Sequence, residues 1–298
     1  MLMIYKYSII VPHFNDFDNL KKLLSSIPKR DDIEIIIVDD NSDSILDLSA
    51  FINHNVSLFI NDKGVQSAGA CRNIGLKHAT AKWLLFADSD DFFTSSAFDI
   101  LDENAREDFD VIYFSPTSVD LKTGLISTRH IHYQKLVKYF LRNGGEEINF
   151  SFYASWSRLI SNVFLKNNSI QFDEVIASND VMFSLEVALR VEKINASDEA
   201  IYCITKRKGS LTTLVEPKIL KTRYKVSMHR NDLLYQCGQI YYQEPFLRIL
   251  KRYWRIINLK TIITLFKLLL MGRLLFFPTR FKASLKNLLL LEKKRYKK

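Results

Sequence analysis

The chain has 298 residues, 47% of them apolar and 25% charged, enough for one large domain or a domain with an appendage and unlike a disordered or low-complexity polymer. Its three cysteines, Cys71, Cys203 and Cys237, are scattered and odd in number, which argues against a disulfide framework or a CxxC zinc site and suits a reducing cytoplasm. The net charge of +9 is divided: Phe246 to Lys298 holds fifteen Lys/Arg and one acid, Glu292, a net of +14, which leaves −5 on residues 1–245; a nucleic-acid enzyme would carry its positive charge around the cleft instead.

The opening MLMIYKYSIIVPHF lacks a signal-peptide layout, and residues 4–11 read as a strand ending at Pro12. From Asp16 to Ile27, apolar residues at Phe17, Leu20, Leu23, Leu24 and Ile27 have helical spacing, and Pro28 stops the helix. Ile33–Val38 is a short apolar run of the kind buried on both faces of a parallel sheet. Val56–Ile60 predicts a third strand, Ser67–Ala79 a helix, Trp83–Ala87 a fourth strand and Phe109–Phe114 a fifth. Alternating strands and helices argue for a parallel α/β sheet. Residues 116–200 read as irregular, with helices near Ser161–Asn167 and Asp180–Arg190, and Ile201–Thr213 as a strand followed by a polar loop.

From about Glu216 the pattern is helical. At about 100° per residue, Arg248, Lys251, Arg252, Arg255, Lys260, Lys267 and Arg273 fall on one half of a wheel drawn over Phe246–Phe277. Leu250, Trp254, Ile257, Leu265, Leu268 and Leu275 fill the other half. No apolar stretch approaches the roughly 18–20 residues of a spanning helix. Such a basic amphipathic extension is expected to lie on an anionic membrane surface, against the plainer reading of a solvated helix.

Three strand ends carry polar groups: Pro12-His13-Phe14-Asn15, Asp39-Asp40-Asn41-Ser42 and Asp88-Ser89-Asp90-Asp91. In a parallel sheet these ends share one rim, where ligands bind. Three carboxylates after an apolar run repel one another unless something positive joins them. Mg2+ or Mn2+ takes hard oxygen ligands and completes its shell with water and phosphate; the alternative is a solvated turn. Arg72, at a small-residue helix start, could hold phosphate oxygens or form a salt bridge to one of the acids. Asp180 reads as a helix-capping acid or as a general base. His130 and His132 read as a half-exposed strand pair, Trp156 as core or as a platform for a sugar, and Cys71 as a small packed residue.

SIIVPHFND (8–16), IIIVDDNSD (35–43), CRNIGLKHA (71–79) and WLLFADSDDFF (83–93), in that order, resemble inverting family 2 glycosyltransferases of the GT-A fold. ASWSRLI (154–160), SNDVMFSLEV (178–187) and RKGSLTT (207–213) continue the likeness to about residue 215. The resemblance implies a Rossmann-like α/β domain with a mostly parallel central sheet flanked by helices. Residues 1–115 would form its nucleotide-binding half and 116–215 its acceptor half, with 216–298 a helical, basic, amphipathic extension. It implies a hexosyltransferase using a nucleotide-sugar, expected to be a UDP-sugar, with Mn2+ or Mg2+. The acceptor would be a hydroxyl of a growing glycan or lipid-linked glycan in capsule, lipooligosaccharide or O-antigen assembly. The enzyme would sit in the cytoplasm, peripheral on the inner face of the cell membrane, with no nucleic-acid partner.

It also implies roles. Pro12, Phe14 and Asn15 would line the base pocket and Asp40 would bond the uracil. Asp88 with Ser89 would hold the ribose or support the metal, and Asp90 would ligate it. Arg72 would contact diphosphate or sugar, Asp180 would be the base, and Arg207 and Ser210 would lie on a loop closing over the diphosphate. The chain departs from the family at Asn179, where Glu is frequent, and at His13 and Phe14. A nucleotidyltransferase is the rival enzyme, yet PHFNDFD lacks the Gly-rich loop it would need after the first strand. A non-catalytic membrane or nucleic-acid binder would leave the acid clusters unexplained.

Overall fold

In the computed structural model, which describes residues 5–44, 46–51, 55–62, 65–105, 108–206 and 214–277, strand β1 (Tyr7–His13) is buried at every position. An unbroken apolar run without alternation is what a strand covered on both faces requires. It pairs in parallel with β2 (Ile33–Asp39) and β4 (Trp83–Phe86), and β3 (Asn55–Ile60) adds in parallel outside β2. Beyond β4 come β7 (Arg158–Ser161), antiparallel to it, and β6 (Val111–Asp120), antiparallel to β7. Then β8 (Ile194–Lys206) runs parallel to β6, and the two-residue β5 (Phe92–Phe93) closes the edge antiparallel to β8. The order is β3-β2-β1-β4-β7-β6-β8-β5.

Helices α1 (Phe17–Ser25) and α2 (Ala68–His78) connect the first strands, and α3 (Ala97–Asn104) follows β5. In α1 the buried residues are Leu20, Leu23 and Leu24, the i, i+3, i+4 face its sequence displays. The middle of the chain is more regular than its sequence suggests. It holds α4 (Ile131–Asn143), α5 (Glu147–Ser151), α6 (Asn162–Asn167) and α7 (Asn179–Arg190). The expectation of a strand around His130 and His132 is corrected: both lie at the start of α4. The helical signal was Tyr133, Leu136, Val137 and Phe140, all of which meet the core. His130 Nδ1 lies 2.7 Å from the Ser118 hydroxyl.

The chain divides into two compact units, Met1–Leu214 and Val215–Lys298. The second contains α8 (Pro217–Gln236), α9 (Phe246–Tyr253) and α10 (Leu259–Leu270). Pro217 sits in the first turn of α8, where its missing N–H is harmless. The single wheel over 246–277 does not survive, because the chain turns between Trp254 and Asn258. Leu265 joins Phe246, Ile249, Tyr253 and Leu274 in the unit's own small core, with Leu250, Ile257 and Leu268 packed against it. Most of the apolar half of that wheel therefore faces protein. Among the described residues no helix is long and apolar enough to cross a membrane.

Candidate active site

Because β1, β2 and β4 are parallel neighbours, their carboxyl ends share one edge of the sheet. At the end of β1, the His13 imidazole is buried. Asp16 N–H points to Nε2 (3.3 Å), which leaves Nδ1 to donate to Asp39 Oδ1 (2.9 Å). The Ser42 hydroxyl and N–H also donate to Asp39 (2.6 and 2.8 Å). Burial tends to raise the Asp39 carboxyl, but the Ser42 and His13 donors outweigh it and hold it below the usual range. His13 thus stitches the first two strand ends together, a role its sequence position did not signal.

Of the residues expected to line the base pocket, Pro12 is buried within β1, while Phe14 is 46% exposed. Asn15 is exposed, and its side chain exchanges hydrogen bonds with Asp43, donating at 2.9 Å and accepting from the Asp43 N–H at 2.8 Å. Asp40 is buried and accepts from Asn61 Nδ2 at 2.6 Å. Asn15 and Asn41 both occupy left-handed backbone, φ 48° and 59°, which asparagine tolerates better than most residues.

The acidic turn follows β4. Asp88, Asp90 and Asp91 each bring a carboxylate oxygen to within 4.8 Å of the others; Asp88, Ser89 and Asp90 are half-buried, Asp91 buried. The turn is anchored from β8. Thr205 N–H donates to Asp91 Oδ1 (2.7 Å) and Thr205 Oγ1 to the Asp90 carbonyl (2.7 Å), while Asp88 N–H donates to the Tyr202 hydroxyl (2.8 Å). Burial first, then the charges of Asp88 and Asp90, push the Asp91 carboxyl well above its ordinary range. This crowding of hard oxygens from three carboxylates fits a divalent cation. Trp156 resolves to core: it is buried and stacks on Tyr202 with ring centroids 5.9 Å apart.

Arg72 reaches this turn from α2. Its guanidinium is buried, donates from Nη2 to Asp88 (2.5 Å) and from Nη1 to Asn179 Oδ1 (2.7 Å), and lies 5.3 Å from the Phe172 ring centroid. Its Nε finds no hydrogen-bond partner among the described residues. One planar fork therefore ties the acidic turn to the first residue of α7, next to Asp180. Asp180 is half-buried. Desolvation raises its carboxyl above the usual range; the positive charges of Arg72 and Arg158 oppose the shift and Asp88 adds to it. Arg158, which sequence reasoning passed over, is fully buried, donates to Ser184 (3.0 Å), and has Nε and Nη1 without hydrogen-bond partners among the described residues. Arg207 and Ser210 lie outside the described residues.

The same helix fixes the segment leading into α7. Ser67 caps α2 by accepting from Gly69 N–H (3.1 Å) and donates to the Val175 carbonyl (2.8 Å). Asn73 bonds both the carbonyl and the N–H of Phe172 (2.9 and 2.8 Å). Gly69 permits the approach: a Cβ there would stand 2.1 Å from the Asp173 carbonyl oxygen and 2.9 Å from Asn179 Cβ. Gly69→Ala is therefore expected to destabilise the protein by about 2 kcal/mol or more. Urea unfolding measures this, and an unchanged midpoint would contradict the tight approach. Beyond its arginine, the SAGACRN run supplies small and amide residues that hold residues 172–175 and pack on Asn179, just before Asp180. Cys71, in the same run, is fully buried, and burial pushes its thiol up, away from reactivity.

A mostly parallel sheet, flanked by helices, that gathers carboxylates at the carboxyl ends of its strands is the layout of an α/β domain serving a phosphorylated ligand. Residues 8–168 match the sequence profile of Glycosyl transferase family 2, more than half of the chain, and the chain belongs to that family. It is 27% identical over 222 residues to the poly(ribitol-phosphate) beta-N-acetylglucosaminyltransferase TarS of Staphylococcus aureus, covering 68% of this chain but only 36% of that relative's length. It is 23% identical over 258 residues to a cholesterol galactosyltransferase of Borreliella burgdorferi, covering 80% of this chain and 71% of the relative. The crystal structure of S. aureus TarS 1–349 in complex with UDP-GlcNAc superposes with a TM-score of 0.61 at 21% identity, over 87% of this chain and 79% of that one. The fold is thus GT-A.

Proposed function

We propose that the protein is a metal-dependent, inverting glycosyltransferase that moves a hexose from a UDP-sugar to a hydroxyl of a growing cell-surface glycan. The observation that carries this is the Arg72 fork joining Asp88 to Asn179, which brings the acidic turn and Asp180 to one site. Relatives named for transfer to poly(ribitol-phosphate) support a surface-glycan acceptor, and the UDP-GlcNAc complex of TarS supports a UDP donor.

Pro12, Phe14, Asn15 and Asp40 would hold the base, and Asp88 with Ser89 the ribose. Asp90 and Asp88 would hold Mn2+ or Mg2+, which when bound supplies positive charge to the leaving diphosphate. Asp180 accepts the proton of the acceptor hydroxyl as its oxygen bonds the anomeric carbon and the bond to diphosphate breaks, which inverts the centre. The unmet Nε–H of Arg72 supports a further contact to the diphosphate or sugar, and Arg207 and Ser210 would close over the diphosphate. The basic second unit would keep the chain peripheral on the inner face of the membrane, where lipid-linked acceptors lie.

Titration calorimetry with UDP, with and without Mn2+, on the native protein and Asp90→Ala tests the donor site. Native binding should strengthen with the metal, and Asp90→Ala should lose that gain. Metal-indifferent binding in both proteins would overturn the metal assignment.

A further inference from the structure

Helix α10 turns Leu265 inward, fully buried, yet leaves Leu259, Ile262, Ile263, Phe266 and Leu270 between 39% and 75% exposed. At about 100° per residue these five fall within an arc of about 100°, so they form one continuous apolar stripe whose centre lies about 110° around the helix from the buried Leu265. Lys260 and Lys267, both exposed, lie along one flank of that stripe. We infer that this stripe is the surface by which the protein docks on an anionic lipid bilayer, lying in the headgroup region rather than crossing it. The inference rests on the peripheral placement proposed above and specifies its face, which differs from the one a wheel drawn over 246–277 selects.

Three observations favour lipid over another occupant. The unit Val215–Lys298 carries twenty Lys/Arg and four Asp/Glu, a net of +16. Two of those acids are already spent on cations, Glu244 on Arg252 (2.9 Å) and Asp232 on Arg273 (2.5 Å). Two copies meeting through this stripe would bring like charges of that size together, whereas an anionic headgroup layer neutralises them. A nucleic acid would use the charge but leave five apolar side chains unburied. Finally, exposed Trp254 carries the Arg255 guanidinium 5.5 Å from its ring centroid, a pairing of flat apolar surface with a cation that suits the boundary between headgroups and acyl chains.

The test is sedimentation of the full chain with vesicles of roughly equal phosphatidylglycerol and phosphatidylcholine, beside pure phosphatidylcholine. The double variant F266S/L270S keeps the charge and removes apolar surface; L125S/I126S removes an exposed apolar pair from the first unit. Native protein should bind the anionic vesicles and weaken with added salt. The stripe variant should bind about tenfold or more weakly, with its UDP affinity and UDP-sugar hydrolysis unchanged, and the control pair should match the native protein. Equal binding by the stripe variant would overturn the stripe while leaving peripheral placement intact. No binding by the native protein would overturn both. Light scattering that shows a dimer broken by F266S/L270S, with no vesicle binding, would assign the stripe to a second copy instead.

Discussion

Asp180→Asn is expected to slow UDP release from the UDP-sugar that binds most tightly by about 10²- to 10⁴-fold, the range lost when a general base is removed, while UDP affinity stays the same. Asparagine keeps the size and the helix-start position of Asp180 but cannot take a proton. The native pH profile should carry a matching signature. Desolvation, aided by Asp88, raises the Asp180 carboxyl. The base is therefore lost as pH falls through a value above that of an ordinary aspartate, and turnover should decline earlier on the acid side. Full turnover by Asp180→Asn would remove Asp180 from the chemistry and leave it as a helix-start residue.

The second large effect is expected at Arg72. Arg72→Met removes the cation that most strongly opposes the rise of the Asp180 carboxyl and leaves Asp88 and Asn179 without their shared donor. Breaking a fully buried pair costs about 3–5 kcal/mol. The Asp88 carboxylate is 36% exposed, so water takes up part of the loss and about 1–3 kcal/mol is expected from urea unfolding. The acid limb of turnover should move to higher pH in Arg72→Met, because only the weaker influence of Arg158 is then left to oppose burial and the charge of Asp88. Arg72→Lys should recover little, since a point charge cannot fork to both partners. A lysine variant with native stability and the native pH profile would show that the bridge is dispensable.

Arg72 also marks how far the sequence can be read. The first four strands and the convergence of their ends follow from short apolar runs, each closed by polar residues and separated by one helix or loop, so local pattern and global topology agree. The sequence offered a salt bridge or a phosphate contact for Arg72; the structure brings its fork to two partners, Asp88 and Asn179, whose separation along the chain hides the link. β5 escaped notice because two residues carry no periodicity. His13, Gly69 and Asn73 are illegible for another reason: each acts on a segment distant in the chain, through a carboxylate, a backbone carbonyl and amide, or the mere absence of a Cβ. In the second unit the apolar spacing is helical, but one wheel over 246–277 spans the turn between Trp254 and Asn258, which puts core residues such as Leu265 on a surface.

The anchoring of the acidic turn from β8 has a consequence for biosynthesis. Thr205, which fixes Asp91 and Asp90, lies 114 and 115 residues beyond them. On the ribosome, β1–β4 can pair among themselves once Phe86 has emerged, but Asp90 and Asp91 lack their Thr205 anchor until β8 follows. A nascent chain that stalls just before residue 194 can already pair β7 with β4 and β6 with β7, so it presents a partial sheet with β6 as a bare edge, a template for association with other chains, and its acidic turn lacks the Thr205 anchor. The order of synthesis thus makes the scaffold first and the chemistry last, and it sets the interval during which a chaperone has the most to protect.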